Sequence, residues 1–189
     1  MIRLFKIFFL FIISFNLSAI EYFDGNIKLK IHEKTGSFSL YRLSDPYSLN
    51  YEPLFNDIEP RASYLSVNID GNTYKLGHSN SFRIRVEKYD DLPLIIFESV
   101  NVIITKSFSW IRTFSSQETN GIKLTISVQN TGGTPVSAGL RILLDTHLGE
   151  GNNDSHFITN RQIINRETLF RGDSSELFWI SKNNKFSLK

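Results

Sequence analysis

Ile122-Lys123-Leu124-Thr125-Ile126-Ser127-Val128-Gln129, followed by Asn130-Thr131-Gly132-Gly133, is the stretch that decides the fold. Apolar and polar side chains alternate through it without a break, and side chains two positions apart share a face only in an extended chain. The run is therefore a strand with one wet and one dry face, and the Asn and Gly residues after it tolerate the positive φ of a turn. The same period recurs upstream. Ile27, Leu29 and Ile31 alternate with Lys28, Lys30 and His32, and Phe82, Ile84 and Val86 alternate with Arg83, Arg85 and Glu87.

Three other runs are apolar on both faces: Leu94 to Phe97, Val102 to Ile104, and Leu140 to Leu144 around Arg141. Strands of that kind are expected centrally or between two layers. Lys34-Thr35-Gly36, Asp70-Gly71-Asn72 and Asn120-Gly121 supply further turn chemistry, and Asp70-Gly71 between Leu65-Val67-Ile69 and Tyr74-Leu76 predicts a hairpin. No window carries a capped helical stripe. The expected fold class is all-β, an antiparallel β-sandwich or related two-sheet architecture.

The chain has 189 residues, 41% hydrophobic, 13% aromatic and 21% charged, the profile of one globular domain. With no cysteine, disulfides, thiol nucleophiles, cysteine-ligated metals and a lipid-modified amino-terminal cysteine are excluded. Residues 1–19 read as a secretory signal peptide. Arg3 and Lys6 precede the apolar run from Ile7 to Leu17, and Leu17-Ser18-Ala19 offers a cleavage position. That run is short of the ~20 apolar residues that span a bilayer, so no membrane span is expected after cleavage. Residues 20–189 then form the single β domain. Removing Arg3 and Lys6 leaves 19 basic against 19 acidic side chains, so the basic stripe of a nucleic-acid binder is not expected.

Two stretches break the strand rhythm. Ser44 to Pro60 holds Pro46, Pro53 and Pro60 with Tyr47, Tyr51 and Phe55 between them, and is expected as a long loop. Tyr47 and Tyr51 are candidates for stacking on a sugar ring or a peptide, or for pinning that loop to the sheet. The second stretch runs from Asp145 to Ser155. His147, Glu150 and His156 are candidate ligand-binding groups there, with acid and base chemistry available for proton transfer at a sugar. Asp145, Glu150, Asn152 and Asp154 are oxygen donors, but without the spacing of a known calcium loop no metal is expected. Arg141, inside an apolar run, is expected to be buried and ion-paired, with Asp145 as one candidate partner about 13 Å along the strand and a neighbouring strand as the other source.

Leu124 to Val136, with its Asn130-Thr131-Gly132-Gly133-Thr134-Pro135 turn, followed by Gly139-Leu140-Arg141 and Asp145-Thr146, resembles a strand-turn-strand pattern of uncharacterised secreted bacterial proteins of spirochaete type. It is also faintly similar to the aldose-epimerase-like supersandwich fold. That second resemblance implies a carbohydrate-active or carbohydrate-binding domain. In aldose epimerases a histidine follows the Thr-Pro-Val element closely, whereas here Arg141 stands near that place and His147 comes later.

No Gly-x-Ser-x-Gly elbow, His-Glu-x-x-His pair, phosphate loop or dinucleotide fingerprint is present, and no cofactor is expected. His32 and His78 read as solvated surface residues. Leu177-Phe178-Trp179-Ile180 is apolar on both faces and is followed by an Asn183-Asn184 turn and Lys185 to Lys189. An apolar strand so near the end predicts a fold left incomplete at its C-terminus, a shortened relative of a longer protein, unless a final hairpin closes the sandwich. Together these readings predict an exported, non-enzymatic domain of the periplasm or envelope. Its expected partner is an envelope protein or a polysaccharide.

Overall fold

The computed structural model describes residues 19–55, 63–112, 117–146, 156–164, 168 and 179–182. The fold is all-β and sandwich-like, and each strand pairing described is antiparallel. One sheet is a meander of β1 (Ala19–Asp24), β2 (Ile27–His32), β3 (Ser37–Asp45) and β4 (Asn50–Pro53). A second meander joins β7 (Arg83–Tyr89), β8 (Leu92–Glu98), β9 (Val102–Arg112) and β10 (Thr119–Asn130). Between them in sequence come β5 (Tyr64–Ile69) and β6 (Asn72–Lys75), which form a third sheet with β11 (Ala138–Leu143) in the order β11, β5, β6. The fourth holds β12 (His156–Thr159) between β13 (Ile163–Ile164) and β14 (Trp179–Lys182).

Alternation carries the packing. Leu29 and Ile31 of β2, Leu65 and Val67 of β5, Ile95 and Phe97 of β8, and Ile104 and Phe108 of β9 belong to one buried cluster, so three sheets share a core. Each such aliphatic side chain contributes about 1.5–3 kcal/mol by leaving water. The turns match the strands' twist. Asp70 and Gly71 both take positive φ between β5 and β6, as Asp90 and Asp91 do between β7 and β8; only the first of these hairpins was signalled by a glycine.

Several expectations need correction. Asn120-Gly121 lies inside β10, where a bulge between Thr119 and Gly121 opposes Arg112 and Ile111. The Ser44 to Pro60 stretch is not one long loop: β4 folds back on β3, and Pro53 is accommodated because β4 is an edge strand. The apolar run at Leu140 is not central either. Among the described residues β11 pairs with β5 along one side only, and Leu140 and Ile142 are each 45% exposed. Residues 1–18 and 183–189, and with them most of the signal peptide and the terminal hairpin, lie outside the described residues.

Candidate functional site

The dry face of β9 is read directly from its sequence. Val102, Ile104, Phe108 and Trp110 share one parity, and the residue between Ile104 and Phe108 on that face is Lys106. Register places Lys106 opposite Ile95 of β8 on one side and Ile126 of β10 on the other. A lysine flanked by four inward apolar side chains cannot reach water sideways, and Lys106 is 4% exposed.

The ammonium has few compensations. It donates a hydrogen bond to the backbone carbonyl of Gly36 in the turn between β2 and β3. The rings of Phe97 and Phe38 stand 5.1 and 5.7 Å from Nζ, within cation–π range. No ion pair among the described residues includes it. Burial therefore pulls the Lys106 pKa down from 10.5 to about 8, with no carboxylate acting in the other direction.

Gly36 is required at this point. Its φ is +61°, and a Cβ there would stand 2.7 Å from both Ile95 and Phe97. The missing side chain lets the turn drop onto β8 and present its carbonyl to Lys106. A cavity of about 20 Å³ opens beside them, room for about one water molecule. Thr35, Ser37 and Ser63 bring hydroxyls to its wall, while Leu65 and Leu76 close it with apolar surface. Leu124, Ile126, Ile142 and Leu144 add further apolar surface beside Phe38, Tyr64 and His78, and Ile142 and Leu144 are 45% and 46% exposed. The site thus has an enclosed cationic end and an apolar end that opens to solvent at β11.

Of the sequence-derived candidates, Tyr47, Tyr51, Arg141 and Asp145 are not among the residues that line this cavity. Tyr47 sits in the turn between β3 and β4 and is 98% exposed; its backbone N–H donates to Asp45 Oδ1 at 2.9 Å. Tyr51 is on β4, its ring edge-to-face with Phe23 at 5.5 Å, and Lys28 Nζ stands 4.1 Å from the Tyr41 ring and 5.5 Å from that of Tyr51. Arg141 is exposed, contrary to the expected buried position. Its register partner is Ser66 of β5, and an arginine exposed on a strand at the sheet's edge among the described residues does not carry the cost of a buried charge. The ion pairs among the described residues do not include Arg141 with Asp145. Asp145 instead donates its backbone N–H to Ser63 Oγ at 2.9 Å. His147 and Glu150 lie outside the described residues; His156 opens β12, and its side chain is likewise outside the description.

Lys106 was missed because each apolar run was read separately, stopping at Ile104. Continuing the period through β9 puts Lys106 on the dry face. Among the described residues no group of three metal-ligating side chains assembles, and no helix is long and apolar enough to cross a membrane. No family model, curated protein or solved structure matches the chain.

Proposed function

We propose that this chain is an exported, non-enzymatic β-sandwich domain that acts by contact with an envelope protein, taking an extended segment of its partner along β11. The open edge of β11 carries the reading. Among the described residues β11 pairs only with β5, and Leu140, Ile142, Leu143 and Leu144 are all 39–46% exposed on or beside it. An edge strand offers a row of backbone donors and acceptors, and strand addition uses them for affinity while alternate side chains supply specificity. Edge strands that avoid pairing usually carry inward charges, proline or a bulge; β11 has no proline and no bulge, and its one charged residue, Arg141, is exposed. The amino-terminal pattern of Arg3, Lys6 and the following apolar run supports export to the periplasm or envelope.

A photo-crosslinking residue at Ile142 of the full chain, expressed in its own cells, tests this reading, with the same residue at Lys123 on the exposed face of β10 as control. The expected product is an adduct at position 142 joined to one contiguous segment of an envelope protein and absent at position 123. Crosslinks confined to the chain's own residues would show that the edge is covered internally and would overturn the reading.

A polysaccharide is the second partner class, supported by Phe23, 55% exposed, beside Tyr51 with Lys28 over the neighbouring rings. Sugar rings stack on such surfaces through their apolar faces. Loss of glycan retention in Phe23→Ala, with β11 intact, is the result that would favour it.

A further inference from the structure

We infer that the cleft between β5, β9 and the β2–β3 turn is a binding site for a small amphipathic monocarboxylate, its carboxylate held by Lys106 and its apolar tail lying along Ile126, Ile142 and Leu144. A protonated amine offers three N–H donors, and a single one is assigned here, to Gly36. The remaining donors belong to a side chain 4% exposed, bordering a cavity already lined by the Thr35, Ser37 and Ser63 hydroxyls. A buried cation without an anionic partner is costly, and an anion entering that cavity converts the cost into attraction.

The shape of the cleft selects the class. The cavity as a whole is about 20 Å³, so it admits a group the size of a water or a carboxylate and no bulky head such as a phosphate ester, and the attached tail lies outside it over the exposed Ile142 and Leu144. Leu124, Ile126, Ile142 and Leu144 give the wall an apolar stretch that reaches solvent at Ile142 and Leu144. One compact negative end and one apolar end complement those two halves. The other titratable side chains at the cavity are His78, exposed on its rim, and Tyr64; an uncharged amphiphile would leave Lys106 as it is. The inference does not rest on strand addition at β11, because a covered edge does not change the Lys106 ammonium, which has no ion pair among the described residues.

The test uses octanoate, 1-octanol and octyltrimethylammonium as probes, with calorimetry and NMR of carboxyl-¹³C octanoate on the full chain. Octanoate is expected to bind at least tenfold more tightly than octanol, with octyltrimethylammonium excluded, and Lys106→Met is expected to remove that preference. The wild-type protein gives a second readout that needs no variant: octanoate affinity falls about tenfold per pH unit once Lys106 loses its proton, while octanol affinity stays level. Equal binding of octanoate and octanol, no octanoate binding below pH 8, or affinity level with pH would each overturn the site. Crosslinking at position 142 is read separately, so failure here leaves the strand-addition reading standing or falling on its own result.

Discussion

Lys106 holds a charge where the surrounding sequence calls for an aliphatic side chain, and its effect on stability has a definite sign. Its folded pKa, about 8, lies below the ordinary 10.5, so between those values the unfolded chain binds more protons than the folded one. Stability therefore rises with pH across that window, by about 3 kcal/mol, and below pH 8 the full cost of burying the charge is present. Lys106→Met is expected to raise the urea midpoint at pH 7 and to abolish the Lys106 part of the rise toward pH 10. A variant less stable than wild type at pH 7, with the rise intact, would reject the inward placement. Gly77 provides a second residue-level test. Its φ is +86°, and a Cβ would stand 2.1 Å from the Thr35 carbonyl oxygen in the turn that forms the cleft wall. Gly77→Ala is expected to cost upward of about 2 kcal/mol, from the left-handed backbone together with displacement of that turn.

At the scale of the strands, β9 and β10 differ in what each position carries. Ile104 is fully buried between Phe97 and Val128, and Ile104→Ala is expected to cost roughly 2–5 kcal/mol. Lys123 projects from the wet face of β10, and Lys123→Ala is expected to change stability by about half a kcal/mol. Comparable denaturant midpoints for the two variants would reject the register. These strands were legible because period two fixes a face as soon as one side is dry. Leu140 to Leu144 was misread for the converse reason: an apolar run states that both faces could be buried, but not whether a neighbour exists on each edge. Arg141 followed the same error, since its expected burial depended on a central β11. The turn at Asp90-Asp91 was invisible because two aspartates adopt the positive φ usually given to glycine or asparagine. The candidate cleft was not legible as a site, since it joins Gly36, Ser63, Lys106 and Ile142 from segments far apart in the chain.

Across the whole molecule, three sheets close on one core, and polar contacts fix where the first meets the second. Asp24, at the end of β1, accepts hydrogen bonds from Thr119 Oγ1 at 2.6 Å and Arg112 Nη2 at 3.0 Å, while the Asn26 N–H donates to the Thr119 carbonyl at 3.0 Å. The Thr119 hydroxyl first, and then Arg112, hold the Asp24 carboxyl below its usual range. A depressed carboxylate stabilises the fold above its unfolded pKa and loses that contribution as pH falls through its folded value. Asp24→Asn is accordingly expected to lower stability at pH 7 and to flatten the acid limb of the pH profile, both read from urea midpoints between pH 2 and 7. The central claim is that these sheets enclose a core with a lysine on its inner face, bordering a cleft. It is tested most directly by following the Lys106 Cε and Nζ resonances of the full chain through a pH titration, with Lys106→Met for assignment. The account predicts a midpoint near 8; a midpoint at the ordinary 10.5 would place Lys106 in solvent and contradict it.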